Sequence, residues 1–201
     1  GAGGAGFAAS AGLARELRAR GAVLIFAPLI KTAPPRSWRT LDTALKAIAE
    51  YDAVVFASSN AVAFFFARMK RILKRRPAAP LILAAVGAAT ARAAAAHGWR
   101  CGVVPEDSRA LGLARVLRLP RGARVLLPRA EQGLDVLPKA LAAAGARVTK
   151  ATAYRTVADA AGRRVLRRAL ARGAHAVCFA SGSAVKALGR RGVRPAAAVA
   201  I

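Results

Sequence analysis

Apolar and polar positions along this chain follow two alternating periods. Between Gly12 and Gly21, LARELRAR has the spacing of an amphipathic helix, and AVLIFAP (22–28) follows as a short apolar run stopped at Pro28. The pattern predicts a helix and then a buried strand. LIKTAPP (29–35) has no strong period and ends in two prolines, as a connecting strand or linker does. From Leu41 the alternation resumes: LDTALKAIAE reads as helix, DAVVFA as strand, and SSNAVAFFFARMKRIL as a helix capped by its Ser or Asn. LILAAVG predicts a strand, ATARAAAAHG a helix closed by Gly98, WRCGVVP a strand, and SRALGLARVL a helix. ARVLLPR predicts a strand, GLDVLPKALAAAG a helix ending at Gly145, and ARVTKATAYRTV a long strand. An arginine-rich helix (162–173), the strand HAVCFA, the helix SGSAVKALGRRG and the strand-like PAAAVAI complete the chain. Strands alternating with helices of about ten residues imply parallel sheets of the Rossmann-like α/β class.

One unit occurs twice. DAVVFASSNAVAFF from Asp52 and HAVCFASGSAVKAL from His175 align at a constant offset of 123, matching Ala53, Val54, Phe56, Ala57, Ser58, Ala61 and Val62 with Ala176, Val177, Phe179, Ala180, Ser181, Ala184 and Val185. The repeat predicts two such sheets. In each copy a buried strand runs into a serine at its carboxyl end and a helix begins there, aiming free backbone N–H groups outward, an arrangement that binds anions.

Composition narrows the picture. The chain has 201 residues, 56% of them hydrophobic, enough for one large or two small packed cores. Its longest uncharged run, Pro77 to Ala91, contains Pro and Gly and is short of the roughly 20 apolar residues of a membrane-spanning helix. The opening GAGGAGFAASAGLAR lacks an initiating Met and a basic region, and is expected to be a shortened start rather than a secretory signal. Cys101 and Cys178 lack metal-ligand or redox spacing and are expected to be reduced and buried, Cys178 as a small hydrophobe in AVCF.

The formal charge is +25, which by itself attracts polyanions. Arginine outnumbers lysine 27 to 7 in a chain rich in Ala and Gly, the signature of GC-rich codon usage. The basic helix at 162–173 reads as one apolar face and one solvated arginine face. A nucleic-acid-binding module stays open as an alternative, against only 11 aromatic residues and no recognition motif.

Three turns are candidates for chemistry: FASSNA (Ser58, Ser59, Asn60), VGAATA (Gly87, Thr90) and FASGSA (Ser181, Gly182, Ser183). Each alone is an ordinary helix cap. None has the glycine spacing that cradles a pyrophosphate or triphosphate, so nucleotide cofactors find no support and carboxylates stay as candidate ligands. His175 precedes a strand, where Asp52 stands in the other copy, and reads as a turn residue; His97 beside Gly98 reads as a helix C-terminal contact. Tyr154 lies in the stretch expected to connect the halves, either facing a cleft or packing on the linker.

These segments resemble uroporphyrinogen-III synthases. DAVVFASSNAVAFF is similar to the family's strand and T-S-P-N-A-V helix start, AAVGAATARAAAAHGWRCGVVPEDSRALGLARVL to its V-G-x-x-T-A helix and V-P-E segment, and ARVLLPRAEQGLDVLPKALAAAGARVTKATAYRTV to its L-P-R-G and V-Y-R-T segments. HAVCFASGSAVKAL resembles its second T-S-P-S-A-V copy, and the set covers most of positions 21–201 in the family's order. Ser59 and Gly182 replace the prolines of the two turns, and Ala57 and Ala180 their threonines.

The resemblance implies two Rossmann-like parallel-sheet domains joined by a two-stranded linker. Domain one comprises 1–27 and 158–201, the linker 28–34 and 149–157, and domain two 35–148. It further implies a strand ending in T-R-P before Gly1 and a G-x-x-T turn with its helix after Ile201, so domain one is expected to be truncated at both ends. The implied reaction is cyclisation of hydroxymethylbilane, a linear tetrapyrrole polycarboxylate, with loss of water and inversion of ring D, using no metal or cofactor. Tyr154 would help the hydroxyl leave. Ser58, Ser59, Asn60, Gly87, Thr90, Ser181, Gly182 and Ser183 would contact substrate. A cytoplasmic monomer that binds neither nucleic acid nor membrane is the corresponding expectation, with an inactive relative serving as a binding domain as a further alternative.

Overall fold

The apolar run Ala53–Phe56 is the buried centre of a parallel sheet, with every residue of the strand out of contact with water. The computed structural model describes residues 4–75, 77–80, 82–179, 181–188 and 197–200. In chain order the elements are α1 (Gly4–Ala19), β1 (Ile30–Ala33), α2 (Arg39–Lys46), a single 3-10 turn (Ile48–Glu50), β2 (Ala53–Phe56), α3 (Ser59–Ile72), β3 (Ile82–Ala85), α4 (Ala88–Ala96), α5 (Ala110–Val116), β4 (Arg124–Ala130), α6 (Val136–Ala143), β5 (Arg147–Ala158), α7 (Ala160–Ala171), β6 (Ala176–Phe179), α8 (Gly182–Leu188) and β7 (Ala197–Ala200). A five-stranded sheet has the order β1-β5-β4-β2-β3, and β6 and β7 form a second sheet. The chain divides into two compact units, one of residues Gly1–Ala33 with Thr156–Ile201 and the other of Pro34–Arg155.

In the Pro34–Arg155 unit, β2 pairs in parallel with both β3 and β4, and β4 in parallel with β5. Successive side chains of a strand point to opposite faces. Val54, Phe56 and Leu126 therefore join Leu41, Leu45, Val62, Phe65 and Trp99 on the face covered by α2, α3 and α4. Ala53, Val55, Val125 and Leu127 join Leu113, Leu137 and Leu141 on the face covered by α5 and α6. Helices on both faces explain why β2 reads as continuous apolar sequence rather than as an alternation. Each fully buried Val, Leu or Phe contributes about 1.5–3 kcal/mol relative to its exposed state.

In the other unit, β6 and β7 pair in parallel, and Leu29, Leu166 and Phe179 form the core with Val177, Leu170 and Leu188 packed on it. Asp159 caps α7 by accepting from Ala161 N–H at 3.0 Å, and its own N–H donates to Leu29 O at 2.8 Å. Gly162 sits so close to Pro28 that a Cβ there would overlap the Pro28 carbonyl.

The sequence repeat is structural. β2 and β6 coincide under the offset of 123, and the ladders correspond pair by pair, Ala53↔Ile82 in one unit and Ala176↔Ala197 in the other. The ends of the predicted segments at 189–192, Pro195 and Ile201 lie outside the described residues.

Several expectations are corrected. Ala22–Pro28 is no strand: it has no ladder partner among the described residues, and Val23, Ile25 and Phe26 are exposed. Apolar sequence alone cannot satisfy a strand's backbone groups without a neighbour to pair with. WRCGVVP contributes a single parallel bridge, Val103 to Ala84. Gly98, at φ +73°, turns the chain out of α4 so that Trp99 enters the aromatic cluster with Phe65 and Phe66, which draws the segment off the sheet. α1 begins at Gly4, well before Gly12, consistent with the helix propensity of its alanines. Cys178 is exposed, because Val177 and Phe179 take the covered face of β6 and Cys178 takes the opposite one; Cys101 is half-buried, and burial pushes its thiol pKa up.

Candidate functional site

The carboxyl edge of the sheet in the Pro34–Arg155 unit gathers three of the predicted turns and strands. β2 ends at Phe56, and Ser58, in extended conformation, begins α3 by accepting from Ala61 N–H at 3.1 Å. Ser59 and Asn60 are the first two residues of the helix and half-buried. β3, beside β2, ends in the turn at Gly87, which caps α4 through backbone alone. Val86 N–H donates to Phe56 O at 3.0 Å, so the two turns follow adjacent strand ends. Thr90, in the first turn of α4, is buried.

Tyr154 reaches this edge from β5. The β4–β5 register shifts after Arg129, so that Arg129 faces Thr152 while Ala130 faces Tyr154. The bulge inserts Ala153 as an extra residue and re-aims the side chain that follows. Ala153 and Tyr154, which would point to opposite faces of a regular strand, both join the core cluster on the α3 face. The Tyr154 ring stacks on Phe64 of α3, with centroids 5.6 Å apart and planes at 18°. Its hydroxyl lies 3.2 Å from Ser58 Oγ, and its carbonyl accepts from Glu131 N–H at 2.7 Å. Tyr154 is 9% exposed. Two residues predicted separately, a helix cap and an aromatic 96 positions away, are thus hydrogen-bonded.

Other residues of this edge are not among the predicted site residues. Ser108, at φ +50°, packs over the Gly87 turn so closely that a Cβ on Gly87 would stand 2.8 Å from Ser108 Oγ. The glycine at a cap position where Ser or Thr is usual was the one sequence signal of that close approach. Arg129, at the end of β4, donates to Asp135 at 2.5 Å and to Gly133 O, pinning the loop before α6. That bond holds the Asp135 carboxyl below the usual carboxylate range, with Lys150 adding to it. The Arg129 guanidinium is therefore engaged within the loop. Phe64, half-buried, read in sequence as one more apolar helix position.

Ser181, Gly182 and Ser183 belong to the other unit. Ser181 Oγ accepts from Ala184 N–H at 3.2 Å, the same bond Ser58 makes to Ala61. His175 lies in the turn before β6. His97 is the C-cap of α4, and its ring also stacks on Phe66 with centroids 4.5 Å apart. Among the described residues no group of three His, Cys, Asp or Glu side chains is placed to hold a metal ion, and no helix is long and apolar enough to cross a membrane.

Fold and site define a two-unit α/β protein whose carboxyl sheet edge presents a Ser–Tyr pair beside two helix N-termini. The family model described as uroporphyrinogen-III synthase HemD matches residues 11–192, and the chain belongs to that family. It is 37% identical over 147 residues to the uroporphyrinogen-III synthase of Synechococcus elongatus, an alignment covering 72% of this chain and 56% of the relative. The chain thus spans little more than half the length of that protein. A crystallised mutant of the Thermus thermophilus uroporphyrinogen III synthase superposes with a TM-score of 0.62 at 23% identity, covering 89% of this chain and 71% of that one. The Helicobacter pylori uroporphyrinogen-III synthetase superposes with a TM-score of 0.58 at 17% identity, covering 88% and 79%. Both likenesses are of fold.

Proposed function

We propose that this chain is a lyase that cyclises hydroxymethylbilane to uroporphyrinogen III, with loss of water and inversion of ring D. The observation that carries the reading is the Ser58–Tyr154 pair at 3.2 Å, set where two helix N-termini meet the carboxyl edge of a parallel sheet. Family membership supports the same reaction, and the relatives named above lend no support to the nucleic-acid-binding alternative.

The substrate carries carboxylate side chains on every ring, and first-turn amides of α3 and α4 favour anions. In this reading Ser59, Asn60, Gly87 and Thr90 hold carboxylates, and the turn of Ser181, Gly182 and Ser183 offers a carboxylate contact of the same kind. The stretches 28–34 and 149–157 serve as the linking strands. Tyr154 donates its phenolic proton to the departing hydroxyl. Loss of that hydroxyl leaves an azafulvene cation, ring D attacks through its substituted carbon to give a spiro intermediate, and fragmentation followed by reclosure inverts the ring. Closure without a catalyst gives the uninverted isomer, so the protein acts by positioning and by favouring one transition state over another. No cofactor is required, and the protein is a cytoplasmic monomer acting on a small molecule.

The test couples enzymatic production of hydroxymethylbilane to the purified chain and resolves isomers I and III of the product. Isomer III above the uncatalysed level is expected. Isomer I alone overturns the reading.

A further inference from the structure

Resting on that reading, we propose that Ser58 is a positioning residue that sets the direction of the Tyr154 proton. A serine hydroxyl has one proton to donate and two acceptor sites. One acceptor site of Ser58 Oγ is taken by Ala61 N–H at 3.1 Å, and the Tyr154 hydroxyl lies 3.2 Å from the same oxygen. The distance permits either direction for the second bond. The first bond biases it: an oxygen that already accepts from an amide at a helix N-terminus is a poorer second acceptor and a better donor, because hydrogen bonds in a chain polarise one another. The favoured arrangement runs from Ala61 N–H to Ser58 Oγ and from Ser58 O–H to the Tyr154 oxygen. Tyr154, its ring held against Phe64 and its carbonyl by Glu131 N–H, is left with its own proton free to donate away from Ser58.

This direction matters to the chemistry. As the substrate's C–O bond breaks, the electron pair leaves with oxygen, the Tyr154 proton goes to that oxygen, and water departs. The phenolate then accepts from Ser58 O–H, a bond that strengthens as negative charge develops and so stabilises the transition state more than the ground state. The proton released when the macrocycle regains its aromatic pyrroles restores the phenol, and no co-reactant is consumed. With the bond reversed, the Tyr154 proton is held by Ser58 and withheld from the leaving group.

Three substitutions separate this role from a cap and from a carboxylate contact. Ser58→Asp keeps an equally good helix cap but is an acceptor only when ionised, which draws the Tyr154 proton toward position 58. Ser58→Thr keeps cap and hydroxyl, and Ser58→Ala removes both. We expect Ser58→Thr to retain kcat, and Ser58→Asp to lose kcat about as far as Tyr154→Phe, roughly 100-fold at the low end for a general acid, with little change in KM. In the Tyr154→Phe background, Ser58→Asp and Ser58→Ala should lower kcat no further. Equal losses with and without the Tyr154 hydroxyl, or losses confined to KM, overturn the proposal in favour of a substrate contact.

A second readout needs no turnover. Tyr51 and Tyr154 are the two tyrosines of the chain, so Tyr51→Phe leaves Tyr154 as the sole source of the tyrosine Fermi doublet in Raman spectra. Its intensity ratio should read acceptor with Ser58 and donor with Ser58→Asp; a donor ratio with Ser58 in place overturns the assigned direction. If the unmodified chain makes isomer I alone while the ratio reads acceptor, the bond direction stands and the proposed reaction fails.

Discussion

The ring of Phe64 lies on that of Tyr154, with 5.6 Å between centroids and an 18° angle between planes. The stack belongs to the ring, so Tyr154→Phe keeps it and removes only the hydroxyl and its bond to Ser58. The variant should lose no more than the roughly 0.5–1.5 kcal/mol of one hydrogen bond in urea unfolding. On the proposed reaction, its rate of isomer III formation should nevertheless fall about 100-fold. Full rate and an unchanged isomer ratio in a well-folded Tyr154→Phe protein would remove Tyr154 from the mechanism.

How this pair was visible in sequence, and how it was not, follows from the physics of each half. Ser58 was legible because a cap must lie next to its helix: the apolar run Ala53–Phe56, the polar break and the helical period after it are local features. Tyr154 was legible only as a residue of interest, since its meeting with Ser58 depends on a β-bulge at Ala153 that no local pattern announces. The parallel sheet and the repeat were readable for the same reason as the cap. The predicted strand at Ala22–Pro28 failed because strand formation needs a partner, and apolar composition says nothing about whether one is present. Cys178 failed because, among the described residues, β6 is covered on one face only, whereas its repeat partner β2 is covered on both.

The repeat predicts matched consequences at its two caps. Ser58→Ala and Ser181→Ala each remove a bond to the backbone N–H three residues on, from Ala61 and Ala184. Each should cost about 1 kcal/mol of the stability of its own unit. Among the described residues only the Ser58 change also breaks a side-chain bond to a distant residue, so it alone should depend on whether position 154 carries a hydroxyl. Urea unfolding of the two single variants and of each combined with Tyr154→Phe measures this: a Ser181 loss that varies with residue 154 would contradict the assignment.

At the Gly87 turn, backbone conformation is no obstacle, because the φ of −164° is open to any residue. The obstacle is Ser108, whose Oγ would lie 2.8 Å and Cβ 3.1 Å from a new methyl group. Gly87→Ala should therefore destabilise by about 1–3 kcal/mol, the usual cost of overpacking. Ser108→Gly clears that space and relieves the positive φ of residue 108. The double variant should consequently be more stable than Gly87→Ala alone, seen as a rise in the urea midpoint. A further fall would mean that the turn is limited by something other than Ser108.

Asp135 supplies the pH dependence. The Arg129 guanidinium, first through its hydrogen bond, lowers the carboxyl's pKa in the folded protein, while in the unfolded chain it returns to the ordinary aspartate value near ~3.9. A depressed folded value stabilises the charged, folded form, so the contribution is present in full above about pH 5 and is lost as pH falls below ~3.9 through the folded value. Asp135→Asn removes the titrating group but keeps an oxygen that can accept from Arg129. The stability difference between the unmodified chain and Asp135→Asn should thus be constant from pH 7 to about 5 and shrink toward pH 3. Because the carboxylate is exposed, added salt should reduce the difference at neutral pH as well. A difference that instead grows on acidification would reverse the sign of the coupling and show that Arg129 does not act on Asp135 in solution.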